Sequence, residues 1–252
     1  MNWKEHIMKI YRYLLPVLPV ILVIFYVHLG YSAGSSSFGQ GAHLSFGGIG
    51  GLSNDEIIQG LKEALQVGTE NAVKLVSRQD GYYKDPEIKI PVPESVQKVE
   101  KLLRATGYGE KVDNFELSMN RAAERAAPEA KSIFGDAIKQ MTFDDAKNIL
   151  NGRDNEATLY FEDKTSSRLQ EVFKPIVQEA MGEVGVTRSF QDLNARAESI
   201  PFGKSISFDL DQYVTDGALK GLFKMLAEEE KRIRTQPAAR VTGLLKKVFA
   251  SQ

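Results

Sequence analysis

The side chains best suited to chemistry lie in the segment ELSMNRAAERAAPEA, residues 116–130. Glu116, Asn120 and Glu124 recur every four residues, so a helix would place them on one face, with Arg121 on the neighbouring face. Such a surface could offer carboxylate, amide and guanidinium groups to a ligand, and paired carboxylates can perform general acid–base catalysis. The alternative is a close-packed helix whose polar face forms structural ion pairs, because alanines occupy much of its remaining surface.

An acidic run begins at Glu228 and is followed at once by basic residues. Glu228–Arg232 and Glu230–Arg234 are each four residues apart, which is the spacing of ion pairs on a solvated helix face. Acids late in a helix oppose its dipole, so we expect one of these carboxylates to have a tertiary partner. A carboxylate-bridged metal site would need more ligands than this run offers.

Tyr160 and Tyr213 could direct hydroxyl groups into a pocket, although core or rim packing is the commoner role of tyrosine. The chain has no cysteine, and its three histidines lie within the first 43 residues. The rest of the chain therefore lacks thiolate and imidazole ligands and any Ser-His-Asp arrangement. We assign no catalytic residue, no metal ligand and no cofactor. The candidate ligand-binding residues are Glu116, Asn120, Arg121, Glu124, Tyr160, Tyr213 and Glu228.

The first 33 residues are predicted to be a signal peptide or an N-terminal membrane anchor. Lys4, Lys9 and Arg12 precede an apolar run from Tyr13 to Leu29, which is the order of a secretory signal. The small residues Ser32 and Gly34 favour a cleavage site after Gly34. Without cleavage, residues 11–33 could span a membrane. The cleaved protein is predicted to be periplasmic or secreted. The uncleaved protein is predicted to be anchored in the inner membrane, with the residues after the anchor in the periplasm.

Residues 34–51 are predicted to be a Gly/Ser-rich flexible spacer, because seven of the eighteen are glycine. The alternative is that this stretch docks on the rest of the chain or on the membrane surface, because it contains four apolar side chains. They are Phe38, Leu44, Phe46 and Ile49. The chain carries a formal net charge of −1, and the basic residues of the leader leave the remainder mildly acidic. No electrostatic footprint for nucleic acid is present.

Residues 52–252 are predicted to form a single all-helical domain, a multi-helix bundle of about nine helices. The first helix starts at a capping box on Ser53 and runs to Ser77. Residues 86–93, PEIKIPVP, are predicted to be an extended connector or a short edge strand. Helices are also predicted for residues 94–105, 111–127, 128–140, 143–150, 156–181 and 187–197, then from a cap at Thr215 to Arg234, and finally from Pro237 onward.

Several ordered segments carry a resemblance to a known family. Three of them are ELSMNRAAERAAPEAK (116–131), AIKQMTFDDAKNILNG (137–152) and LFKMLAEEEKRIRTQPAARVTGLLKKVF (222–249). The other two are IPVPESVQKVEKLL (90–103), which precedes these three, and YFEDKTSSRLQEVFKPIV (160–177), which lies between the second and the third. Over residues 52–250 the chain resembles the bacterial family called domain of unknown function 4197. The resemblance implies an exported, helical protein without assigned activity. Unlike lipoprotein-type members, this chain has no cysteine after its leader.

These features favour an exported, non-enzymatic helical envelope protein that binds a small amphiphilic ligand or a partner protein. One alternative is a carboxylate-based enzyme with its site on the Glu116–Glu124 helix. Another is a structural or assembly component of the cell envelope, which a large exposed apolar patch would favour. The sequence alone leaves these three alternatives open.

Overall fold

The computed structural model describes residues 53–183 and 208–240, together with the single positions 191, 243 and 246. Seven α-helices and three short 3₁₀ segments make up the regular structure of these residues, and no strand is among them. The α-helices are α1 (Asn54–Ser77), α2 (Gln97–Ala105), α3 (Gly109–Ala126), α4 (Ala130–Gln140), α5 (Phe143–Asn151), α6 (Glu156–Glu183) and α7 (Leu210–Thr235). The 3₁₀ segments are Glu94–Val96, Ala127–Glu129 and Pro237–Ala239. The all-helical prediction is confirmed.

Helix α1 begins and ends through local chemistry that the sequence displays. The Ser53 side chain accepts a hydrogen bond from the Glu56 backbone, and the Glu56 carboxylate accepts one from the Ser53 N–H. This capping box satisfies two backbone donors that the first turn leaves free. At the other end, Asp80 adopts a φ of 65°. A Cβ on Gly81 would lie 2.5 Å from the Leu75 carbonyl oxygen, so only glycine fits this turn.

The connector, defined here as residues 78–93, joins α1 to the 3₁₀ segment before α2. It consists of turns followed by irregular backbone, so residues 86–93 form a connector as predicted, but residues 86–88 are a turn and no edge strand is present there. Its three prolines explain this, because proline cannot donate a ladder hydrogen bond. Despite its irregular backbone it is part of the core, since Tyr82, Ile88, Ile90 and Val92 are all buried.

Helix α7 begins earlier than predicted. Its N-cap was predicted at Thr215, but the helix starts at Leu210 and the cap is Asp209, whose carboxylate accepts a hydrogen bond from the Gln212 N–H at 2.9 Å. Thr215 is a buried residue of the second turn, and its hydroxyl donates to the Asp211 carbonyl oxygen at 2.7 Å. Threonine satisfies its hydroxyl in this way inside helices, so it is ambiguous as a start signal.

The core lies where α7 packs against α6, α1 and α3, with α4 against α1 and α6. Its centre is aromatic. The Phe134 ring meets Phe161 edge-on at 5.0 Å between centroids and lies 6.1 Å from Phe223. These three side chains bring α4, α6 and α7 together, and edge-to-face pairs add stabilisation beyond the area they bury.

Several predictions fall outside the described residues. They are the leader at residues 1–33, the spacer at 34–51 and the helix at 187–197, so the count of nine helices is not confirmed. The single-domain assignment of residues 52–252 stays a prediction, although residues 45–252 cluster as one compact unit. In the described part of the chain, no helix combines the length and apolar character needed to cross a membrane.

Candidate functional site

Asn120 clamps the connector through a pair of backbone bonds. Its side-chain oxygen accepts from the Ile90 N–H at 2.9 Å, and its side-chain nitrogen donates to the Ile90 carbonyl oxygen at 2.9 Å. The same nitrogen donates to the Glu116 carbonyl oxygen at 2.8 Å. Asn120 is fully buried, so each of these bonds satisfies a group that water cannot reach. Its amide thus pairs with Ile90 as a neighbouring strand would.

Glu124 holds the turn that opens the connector. One carboxylate oxygen accepts from the backbone N–H groups of Tyr82 at 3.1 Å and Tyr83 at 3.4 Å. The other accepts from Arg121 at 2.5 Å, and Arg121 also reaches Asp80 at 2.5 Å. Hydrogen bonds from Lys84 and then Arg121 lower the pKa of the Asp80 carboxyl. Each charge in this network therefore has an opposite charge or a backbone amide beside it.

Glu116 and Tyr213 bind the later half of the connector. The Glu116 carboxylate pairs with Lys89 Nζ at 2.8 Å, and the Tyr213 hydroxyl donates to the Pro91 carbonyl oxygen at 3.0 Å. Five of the seven candidate residues, those on α3 and Tyr213, thus bind the backbone or the side chains of one segment. The segment is the chain's own connector, and it occupies the position where a ligand was expected.

Helix α7 closes the connector from the opposite side through two glycines four residues apart. A Cβ on Gly221 would lie 2.5 Å from the Tyr82 ring, and one on Gly217 would lie 3.1 Å from Ile90. The Tyr82 hydroxyl donates to the Ala218 carbonyl oxygen at 2.6 Å. Burial raises the pKa of Tyr82, and the nearby Glu124 carboxylate adds to the rise. The phenol therefore stays neutral and serves as a structural hydrogen-bond donor.

The other two candidates lie elsewhere. The Tyr160 hydroxyl donates to the Ala137 carbonyl oxygen at 3.0 Å, at the edge of a polar depression between α4 and α6. The charges there pair with each other, as Arg168 does with Asp136 at 3.1 Å. Glu228 is exposed on α7. The structure does not bring these two residues to the connector.

A tertiary partner was expected for one of the consecutive acids Glu228–Glu230, and Glu230 has one. It is buried, and it accepts from the backbone N–H groups of Ala157 at 3.0 Å and Thr158 at 2.9 Å, in the first turn of α6. The expected ion pair with Arg234 is present at 2.9 Å. Arg234 also donates to the Ile149 carbonyl oxygen at 2.8 Å, near the end of α5. The pair therefore joins α7 to the facing ends of α5 and α6.

A narrow apolar cleft, here called the inner cleft, opens beside this ion pair. It encloses about 360 Å³, part of it open to solvent. Without movement of its walls it is too narrow to hold more than about one water molecule. Four lining residues belong to α1, and the remainder come from α5, α6 and α7. The lining residues are Leu61, Ala64, Leu65, Gly68, Ile149, Ala157, Leu226, Glu230, Ile233 and Arg234.

A second cleft of about 260 Å³, the outer cleft, follows the same seam between α1 and α5. Ile57 lines it one helical turn before Leu61 of the inner cleft, and Leu150 lines it next to Ile149. Phe143 stands at its rim with 43% of its surface exposed, a large exposure for phenylalanine. We call the two clefts together the α1 groove, and it is the candidate site.

The α1 groove was not predicted from the sequence. A signal was present, since Gly60, Ala64 and Gly68 recur every four residues along α1 and all three are buried. Small residues at that spacing allow close approach on one helix face, but they give no indication of what approaches. Among the described residues, no group of three or more acidic side chains could hold a metal ion.

Comparison with known proteins gives one match. A family model described as "Protein of unknown function (DUF4197)" matches residues 51–250, in agreement with the resemblance seen in the sequence. No curated protein and no solved structure matches the chain.

Proposed function

Because the chain belongs to the DUF4197 family, to which no function is assigned, we propose a function from its own residues. We propose that it is an exported, non-enzymatic helical protein of the cell envelope that binds an amphipathic segment of a partner protein in the α1 groove. The observation that carries the proposal is the narrow apolar seam between α1 and α5, whose walls are mostly buried and whose rim holds the exposed Phe143. A groove of this kind suits the apolar face of a helix.

The shape of the groove favours a partner segment over a small amphiphile. Ligand pockets enclose most of their ligand within about 300–1,000 Å³ of concave space. The inner cleft is narrow, and its charged end is engaged because Arg234 already bonds Glu230 and Ile149. A polar headgroup has no partner at that end. A row of apolar side chains presented by a helix could instead pack along the seam. The small amphiphile is the second candidate and rests on the apolar lining.

The carboxylate-based enzyme receives little support from the same residues. The Glu116 carboxylate pairs with Lys89 and the Glu124 carboxylate accepts from the Tyr82 N–H, so both acids are already engaged by the connector. A general acid or base needs room for substrate within hydrogen-bond reach. The structural or assembly alternative remains compatible with the groove, because an assembly component also acts through an apolar surface.

Site-specific photo-crosslinking in the host envelope tests the binding proposal. We expect Ile58→p-benzoylphenylalanine, at the outer cleft, to form an adduct that maps to an amphipathic segment of one envelope protein. The same probe at Lys220, exposed on α7, should not. Adding Phe143→Glu should abolish the adduct, because a rim carboxylate would face the apolar side chains, whereas Asp144→Ala beside it should preserve the adduct.

Native mass spectrometry of protein purified from its host separates the two ligand classes. A clean apo mass together with the Ile58 adduct supports a partner protein. A co-purifying small molecule that Phe143→Glu releases supports the amphiphile instead. If the protein forms no adduct and carries no bound molecule, the binding function is contradicted altogether.

Export rests on the sequence of residues 1–34 and is tested separately. We expect the protein in the periplasmic fraction, with an intact mass that lacks the residues up to Gly34. A full-length mass confined to the membrane fraction would support the anchor. A full-length mass in the cytosol would contradict export.

A further inference from the structure

The chain leaves α7 beside the α1 groove. After Thr235 it turns through Pro237–Ala239, and Arg240 then folds back on the helix. The Arg240 side chain donates to the carbonyl oxygens of Ile233 at 3.1 Å and Arg234 at 2.8 Å. Ile233 and Arg234 are themselves lining residues of the inner cleft. Whatever follows residue 240 therefore starts at one end of the groove.

The residues that follow have the pattern of an amphipathic helix. Residues 241–252 read VTGLLKKVFASQ, and Val241, Leu244, Leu245 and Val248 recur at intervals of three and four. Within this stretch Gly243 and Lys246 are described, and both are helical and exposed. A helix that exposes those two positions turns the four apolar side chains to its opposite side.

Residues 241–252 are long enough to lie along most of the groove. At 1.5 Å per residue, twelve helical residues extend about 18 Å. The lining residues on α1 run from Gly68 back to Asn54, which by the same rise is about 21 Å. A helix that starts at Arg240 and runs antiparallel to α1 would therefore cover the inner cleft and reach the outer cleft near Ile58.

We propose that residues 241–252 dock in the α1 groove through their apolar face, as an internal competitor of the partner segment. The competition rests on the proposed function, while the docking does not. A tethered segment acts at a high effective concentration. A partner then binds only the fraction of molecules whose groove is open, so its apparent affinity falls by that fraction.

Disulfide trapping tests the docking directly, because the chain contains no cysteine of its own. In the full chain, Ile58→Cys combined with Val248→Cys should form an intramolecular disulfide in mild oxidant. Ile58→Cys combined with Lys246→Cys, which lies on the exposed side, is the matched control. We expect the first pair to close faster by about tenfold or more. Equal rates, or no closure of either pair, would overturn the docking.

Release of the segment tests the competition. Leu245→Glu puts a charge on the docking face, and Lys246→Glu puts one on the exposed face. With the photo-crosslinker at Ile58, Leu245→Glu should raise the partner adduct several-fold, and Lys246→Glu should leave it unchanged. The fluorescence of 8-anilinonaphthalene-1-sulfonate, which reports open apolar surface, should rise with Leu245→Glu alone.

The combined outcomes separate the two proposals. A partner adduct without the 58–248 disulfide overturns the docking and leaves the proposed function standing. The disulfide without any adduct, even in Leu245→Glu, overturns the proposed function and makes the segment a permanent part of the fold. An adduct that Leu245→Glu does not increase overturns the competition alone.

Discussion

At the scale of single residues, most of the buried polar side chains that the structure describes hydrogen-bond to backbone groups. Glu230 is the clearest example, because one carboxylate supports the first turn of α6 and neutralises Arg234, which is 11% exposed. We expect Glu230→Ala to lower the free energy of unfolding by about 3–5 kcal/mol, since it leaves a buried guanidinium without its partner. Glu228→Ala, two residues away and exposed, should change it by less than about 0.5 kcal/mol. Urea denaturation of both variants measures the difference, and similar losses would refute the assigned role.

Asn120 gives a second prediction of this kind. Asn120→Ala would leave the N–H and carbonyl groups of Ile90 buried without partners. We expect a loss of about 2–4 kcal/mol, because each stranded buried group costs about 1–3 kcal/mol. Asn114→Ala, at an exposed position of the same helix, is the control and should be neutral. If the two variants unfold at the same urea concentration, the amide does not hold the connector.

The candidate residues could be predicted from the sequence as a polar face, but their partner could not. Helical spacing places Glu116, Asn120 and Glu124 together, and it does so correctly. What lies against that face depends on the path of a proline-rich connector some thirty residues earlier. Irregular backbone has no period in its sequence, so its path is set by tertiary contacts that spacing does not encode.

At the scale of secondary-structure elements, two helix glycines have opposite roles. Gly221 faces the Tyr82 ring, whereas Gly135 of α4 has nothing within 4 Å of where a Cβ would stand. Gly221→Ala should destabilise the protein by about 1–3 kcal/mol through overpacking. Gly135→Ala should stabilise it by about 0.5–1 kcal/mol, because alanine favours the helix. Thermal unfolding of both variants tests the pair, and a shift of the same sign in both would contradict the close packing of α7 on the connector.

The elements themselves were predictable wherever their ends carry a local signal. Capping boxes at Ser53 and Thr142 locate two helix starts, and Asp80-Gly81 locates one end. The start of α7 was misplaced because Asp209 and Thr215 are both acceptable caps. The choice between them depends on Leu210 and Val214, which are buried in this fold. Capping preference alone cannot distinguish the two residues, because the start of the helix is set by burial of the turn between them.

At the scale of the whole molecule, the absence of histidine after residue 43 shapes the response to pH. Several carboxyls in the part of the chain after residue 43, here called the body, have lowered pKa values. Hydrogen bonds from Lys84 and Arg121 act on Asp80, and hydrogen bonds from the Thr142 hydroxyl and backbone act on Asp145. The pKa is also lowered by hydrogen bonding at Glu87, Asp136, Glu156 and Asp209. In each case the native state binds protons less readily than the unfolded chain.

The sign of the pH dependence follows from these shifts. A carboxyl whose folded pKa is depressed contributes its full stabilisation above its unfolded pKa, which is 3.8 for aspartate and 4.5 for glutamate. The contribution is lost as the pH falls through the lower folded value. We therefore expect the urea midpoint to be flat between about pH 6 and 8, where no ordinary side chain of the body titrates, and to fall steadily below about pH 4.5.

Asp80→Asn separates this linkage from a general effect of acid. The variant loses the carboxylate that Lys84 and Arg121 bind, so it should be less stable than the wild type at pH 7. As the pH falls below 3.8 and through the lowered folded pKa of Asp80, this carboxyl stops stabilising the wild type, so the difference between the two proteins should shrink. A constant difference would show that Asp80 acts through packing or turn geometry alone. A fall in stability between pH 8 and 6 would require a titrating group that the body of this chain does not contain, and it would contradict the account of its charges.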